Sequence, residues 1–214
     1  MKLLKHTLIA AAALCAAQAH AYVATITAGP VSLEAGVTTE TFQGAAVFAR
    51  AGQWDIFNSS DAGVGLTGDG IYLASGISAQ PQKGVVSPND KWASVAGGNA
   101  ATISFAAGTS YVGFLWGSVD TYNTVTFYNG ASVIAAFTGG NGGLGANQVP
   151  TGDGNQAVAQ YFNFFAPSIT SAEFKSGSNA FEIDNVSAVP EPETWALMLG
   201  GLSAMGFVAR RRKI

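Results

Sequence analysis

Thr124-Val125-Thr126-Phe127-Tyr128-Asn129-Gly130-Ala131-Ser132-Val133-Ile134-Ala135-Ala136-Phe137 is two alternating apolar–polar runs joined by an Asn-Gly pair. A period of two sends successive side chains to opposite faces of a strand, and Asn-Gly accepts the positive φ angles of a type I′ hairpin turn. A two-residue loop at Asn129-Gly130 places Tyr128 opposite Ala131 and Thr126 opposite Val133. Val125 and Phe127 then share the other face with Ile134 and Ser132. The same grammar extends outward. Strands are predicted at 23–27, 100–105, 111–116, 157–165, 169–175 and 180–187. Their turn signals are Gly108-Thr109, Ala166-Pro167-Ser168 and Ser176-Gly177-Ser178-Asn179. No segment of this region carries a 3.6-residue apolar stripe. The expected fold is all-β, an antiparallel jelly-roll-like sandwich of two packed sheets, with Phe105, Phe114, Phe127, Phe137, Phe162, Phe164, Phe174 and Phe181 in its core. Residues 52–98 read as long loops. Residues 139–154, rich in Gly, Asn and Thr, read as a mobile loop too polar to bury anything.

The two ends of the 214-residue chain obey different rules. Lys2 and Lys5 precede an apolar run over 8–17, and Ala19-His20-Ala21 has the small-x-small form of a signal-peptidase site. Residues 1–21 are therefore expected to be a signal peptide cut before Tyr22, with Ala19 and Ala21 as the recognition residues. Cys15, the single cysteine, and both histidines, His6 and His20, leave with it. The exported part then has no disulfide, no thiolate or imidazole metal ligand and no histidine base. Between residues 22 and 189 four bases stand against eleven acids, a net charge of minus seven. Such a balance repels phosphate backbones and argues against nucleic acid or anionic lipid as the ligand of this domain.

At the C-terminus, Val189-Pro190-Glu191-Pro192 is followed by an apolar run from Trp195 to Ala209 and then Arg210-Arg211-Arg212-Lys213. A helix over 194–209 is about 24 Å long, just enough to cross a bilayer with help from flanking residues. Trp195 stands where an interfacial aromatic belongs, and the basic stop at 210–213 keeps the C-terminus cytoplasmic. These blocks, with Trp195-Ala196-Leu197 and Gly200-Gly201, resemble the PEP-CTERM sorting tail of exosortase-dependent bacterial surface proteins. The resemblance implies recognition of Pro190, Glu191 and Pro192 in the inner membrane by exosortase, a membrane-embedded cysteine transpeptidase, and removal of the helix. Trp195, Arg210, Arg211 and Arg212 complete that sorting signal. The same tail also occurs as the C-terminal domain of some ice-binding proteins. The chain divides accordingly into a signal peptide (1–21), a β domain (22–188) and a sorting tail (189–214). Two further blocks, at 113–123 and 180–187, are similar to recurrent stretches in exosortase-dependent surface proteins and add location rather than chemistry.

What chemistry the β domain can carry rests on oxygen ligands. Glu182 and Asp184, two apart on one strand, share a face at about 7 Å, a spacing that a glycosidase also uses. Asp120, Asn123, Asp184 and Asn185 are the candidate ligands of a structural calcium, since that ion accepts carboxylate and amide oxygens from loops. Otherwise no cofactor is expected. Trp54 and Trp92 lie among loop signals and are the candidate exposed faces for sugar rings. Ice binding asks for a regular threonine array, and Thr25-Ile26-Thr27 with Thr124-Val125-Thr126 are two isolated pairs. Thr67-Gly68-Asp69-Gly70 recurs as Thr151-Gly152-Asp153-Gly154 and reads as two similar tight turns. The expected protein is a non-enzymatic, structural or adhesive component of the cell surface or biofilm matrix. Its processing partners are signal peptidase and exosortase, its stay in the inner membrane is transient, and extracellular polysaccharide is its weak contact. The rival expectation is a secreted, carboxylate-dependent glycan hydrolase.

Overall fold

Alternating β-branched and aromatic residues leave a chain with little choice but sheet, and the computed structural model is nearly all strand. It describes residues 21–28, 32, 34, 36–58, 78, 91–117, 119–151, 160–190, 203 and 205. Among these the strands are β1 Val23–Ala28, β2 Thr38–Glu40, β3 Ala49–Gly52, β4 Asp55–Asn58, β5 Lys91–Val95, β6 Ala100–Gly117, β7 Asn123–Asn129, β8 Ser132–Gly139, β9 Gln148–Val149, β10 Gln160–Ser176 and β11 Phe181–Pro190. They form one hydrogen-bonded sheet in the order β4-β5-β11-β6-β10-β7-β8-β9, with β1 on β10, β2 on β11 and β3 on β6.

The sheet folds into two layers because β6 and β10 both bend. In one layer the second half of β6 pairs with β11 and with the first half of β10, which carries β1 on its other edge. In the other layer the first half of β6 lies between β3 and the last part of β10, and β7, β8 and β9 follow. The predicted turns at Gly108-Thr109 and Ala166-Pro167-Ser168 are thus corners inside two long strands, and the expected pair of separate sheets is one continuous sheet. Gly108 at φ +75° and Ser168 at φ +54° supply the bends. Thr109 Oγ1 donates to the Ala106 carbonyl at 2.8 Å, and Pro167 has no N–H to offer the ladder.

The core fills the space between the layers with stacked phenyl rings. Phe127 of β7 stacks on Phe164 of β10 at 4.0 Å, Phe137 of β8 meets Phe162 at 5.0 Å, and Phe114 of β6 meets Phe174 at 5.1 Å. Each buried ring contributes about 2–3 kcal/mol of apolar transfer. Seven of the eight predicted core phenylalanines are fully buried, and Phe105 is half-buried against Phe48.

The β7–β8 hairpin exists with a different register. Asn129 pairs with Ser132 and Tyr128 with Val133, so Gly130 and Ala131 form the turn. Only Gly130 takes a positive φ, +57°, so the turn is not type I′. A bulge after Phe127 then brings Ala135 and Phe137, rather than Ser132 and Ile134, onto the core face with Phe127 and Val125. Burial of Phe137 outweighs the local preference of Asn-Gly.

The predicted loop at 139–154 is a folded segment over its described part. Leu144–Ala146 forms a 3-10 turn, β9 runs parallel to β8, and Val149 is completely buried. A side chain at Gly139 would collide with the Asp120 carbonyl, so glycine there permits close packing rather than mobility. Residues 52–98, read as loops, contain β4 and β5. Val186 falls out of phase with Phe181 and Ile183 because of a bulge: Asn185 sits at φ +48° and the register shifts between Asp184 and Ser187, which returns Val186 and Ala188 to the core face. The signal peptide and most of the tail lie outside the described residues. Ser203 and Met205 of the tail are helical, and no helix among the described residues is long and apolar enough to cross a membrane.

Candidate functional site

Ile56, Ala93, Ile183 and Trp116 form a cross-strand row on the core face of β4, β5, β11 and β6. Alternation therefore turns Asp55, Ser94 and Glu182, themselves paired across the same strands, to the outer face. That outer face is covered: Asp55, Ser94 and Glu182 are 2 %, 0 % and 3 % exposed. Beside them Trp92 stacks on Phe57 at 5.9 Å and donates its indole N–H to Ser78 Oγ at 3.1 Å. Among the described residues, Asp55 Oδ1 and Ser94 Oγ have no hydrogen-bond partner.

Loss of water around Asp55 disfavours its charged form, and burial pushes its carboxyl up from 3.8 to about 6. Between these two values the folded domain keeps the proton and the unfolded chain releases it. Stability therefore falls as pH rises through about 4 to 6, and the whole of that cost stands at neutral pH. Asp55→Asn removes the charge at constant shape. It raises the melting temperature at pH 7 by about 5 °C and leaves it unchanged at pH 4. Thermal melts of both proteins across this range check the sign, and a difference that does not vary with pH refutes the assignment.

Among the other candidate acids, Asp184 holds backbone in place. Glu182 and Asp184 share the outer face, and the Asp184 carboxylate accepts the Asn185 N–H at 2.7 Å, which caps the bulge. Asn185 offers its carbonyl to the Tyr161 hydroxyl at 2.9 Å. Asp120 closes a turn by accepting the Asn123 N–H on its carbonyl, and its carboxylate lies 2.9 Å from the Tyr122 hydroxyl. Burial, then the Asp120 carboxylate, pushes the Tyr122 phenol up. Asn123 is fully buried: its amide donates to the Ala180 carbonyl at 2.9 Å and accepts from Ser176 Oγ at 2.6 Å. Both ends of that side chain are engaged in joining β7, β10 and β11. Among the described residues no group of three or more His, Cys, Asp or Glu is placed to hold a metal ion.

Trp54 and Trp92 are not exposed sugar platforms. Trp54 is 1 % exposed, packs edge-on to Phe174 at 5.6 Å and donates to the Ala51 carbonyl. Trp92 is 4 % exposed. Trp92 sits on β5 and Trp54 in the two-residue link between β3 and β4, elements that the loop-like composition of 52–98 concealed. Asp55 and Ser94 were hidden for the same reason; the alternation in Lys91-Trp92-Ala93-Ser94-Val95 was the available signal.

The sequence-predicted sorting signal begins inside the fold. Ala188 pairs with Val112 of β6 and Thr38 of β2, Val189 with Tyr111 and Pro190 with Thr109. Glu191, Pro192, Trp195, Arg210, Arg211 and Arg212 lie outside the described residues, as do Ala19 and the recurring turn at 67–70. Ala21, the last residue before the expected signal cleavage, is exposed, and Tyr22 directly after it is anchored. Its ring lies 5.8 Å from Phe137 and 5.5 Å from Phe164, and its hydroxyl donates to Asn147 Oδ1 at 2.9 Å.

No curated protein and no solved structure matches the chain. A family model described as the PEP-CTERM protein-sorting motif matches residues 188–213, from the end of β11 through the basic cluster. The chain carries the PEP-CTERM sorting signal of exosortase-sorted, exported proteins.

Proposed function

We propose that this chain is a structural or adhesive component of the cell surface or extracellular polysaccharide matrix, exported by its signal peptide and processed by exosortase, without catalytic activity. The observation that carries this reading is the sorting motif at 188–213, which continues directly from the last strand of a β domain. Signal peptidase and exosortase are its processing partners, and the inner membrane is a transient stop. Polysaccharide contacts run through the polar surface, since Trp54 and Trp92 are both buried. The domain works without a cofactor: Asn123 and Asp184, two of the four candidate calcium ligands, are committed to holding backbone. A glycan hydrolase needs two acids facing an open cleft. Glu182 and Asp184 are 3 % and 4 % exposed, and the open hollows along residues 46–50 are lined by neither.

Intact mass of the protein recovered from hosts with and without exosortase tests the reading. The expected product of the complete host lacks both the first 21 residues and the apolar tail. In the exosortase-free host the tail remains. Identical masses in the two hosts overturn the proposal.

A further inference from the structure

The register of the first layer places both processing junctions side by side. Val23, where β1 begins, pairs with Phe165; Phe165 pairs with Tyr111; and Tyr111 pairs with Val189, one residue before β11 ends. Three strand spacings put the entry and exit of the domain about 14 Å apart in one cross-strand row. Little slack separates either junction from an apolar segment. Five residues lie between the apolar run at 8–17 and Val23, and three lie between Pro190 and the predicted helix at 194–209. Even fully extended, such stretches reach no more than about 20 Å. The basic residues Lys2 and Lys5 at one end and Arg210, Arg211, Arg212 and Lys213 at the other belong on the same side of a membrane.

We infer that this end of the sandwich is a lipid-facing surface in the precursor, seated on the bilayer while the signal peptide and the tail helix are inserted next to each other. The inference rests on the proposed export and sorting. Surface chemistry at this end supports it independently. A hollow of about 420 Å³, lined by Val47, Phe48, Phe105, Ala106, Thr109 and Ala188, opens beside Pro190, whose partner in β6 is Thr109. Val23 and Val47 are 58 % and 48 % exposed. The loop that presents Val47 is fixed by the buried Glu40 carboxylate, which accepts the N–H groups of Phe42 at 2.9 Å and Val47 at 2.7 Å. Asp55 and Glu182 lie at the opposite end, past Trp116, away from anionic headgroups.

The test uses the full 214-residue chain with Pro190, Glu191 and Pro192 replaced by Ala and Cys15→Ser, carrying a single fluorophore at Val23→Cys or at Ala28→Cys. Both positions are exposed on β1, at its two ends and about 17 Å apart. The chains are reconstituted in phosphatidylethanolamine–phosphatidylglycerol vesicles bearing a headgroup nitroxide. The label at residue 23 should be quenched at least about twofold more strongly than the label at 28, given that separation. Equal or reversed quenching in chains that sediment with the vesicles overturns the orientation while leaving the sorting reading intact. Failure to sediment with the vesicles overturns the membrane reading and the orientation with it.

Discussion

Replacing Pro190, Glu191 and Pro192 together by alanine leaves the β domain folded and holds the chain in the inner membrane, so that its surface pool falls to background. The fold survives because of how Pro190 sits. It is the final residue of β11, paired with Thr109 after a register shift, and as a proline it contributes no N–H to the ladder. Alanine at this position keeps the carbonyl and adds a donor at the strand end, a change worth no more than about 0.5 kcal/mol. Val189 and Ala188 still pair with β6, and Ala188 remains in the core. On the proposed reading, the apolar run at 195–209 with four cations behind it keeps its affinity for the bilayer whatever precedes it. Delivery is therefore lost without loss of structure. Far-ultraviolet circular dichroism verifies the fold, and fractionation with intact mass follows the fate of the tail. If the helix were a permanent anchor, wild type and variant would fractionate identically, and that result would sink the sorting assignment.

What could be read in advance was set by short-range chemistry. The bulge at Asn185 was foreshadowed by Val186, which falls out of phase with Phe181 and Ile183. The core phenylalanines followed from alternation alone, because a period of two leaves them one face to share. The corners of β6 and β10 were not legible. Gly108-Thr109 and Ala166-Pro167-Ser168 are turn chemistry whether the chain reverses or bends. The decision between the two lies in pairing across more than fifty residues, such as Ile103 with Ala172 and Val112 with Phe164. Hairpin register failed in the same way: Asn-Gly argues for one turn locally, and the burial of Phe137 beneath Phe127 and Phe162 imposes another. Trp54, Trp92 and Asp55 share one lesson. Their burial depends on what lies above a sheet face, and composition around 52–98 says nothing of that cover.

Phe114→Ala has the largest effect expected on stability. The ring is fully buried and lies 5.7 Å from Trp116, 5.5 Å from Phe162, 5.1 Å from Phe174 and 6.4 Å from Phe181. Truncation loses the transfer energy of the ring and leaves a cavity walled by four other rings, which cannot collapse without losing their own edge and stacking contacts. The cost is about 4 kcal/mol, a large part of the 5 to 15 kcal/mol typical of a domain, and the melting temperature falls by about 12 °C. Phe114→Leu refills most of the volume and costs about 1.5 kcal/mol. Phe105→Ala, at a half-buried ring beside Phe48, costs less than Phe114→Ala because solvent already reaches the site. Urea melts of the three variants also test whether the layers are one cooperative unit. Phe114 belongs to the first layer and Phe174 to the second, and β6 and β10 run through both, so a single transition should shift as a whole. Two separate transitions in Phe114→Ala would show instead that each layer stands on its own, and that the corners at Gly108 and Ser168 are hinges rather than continuous core.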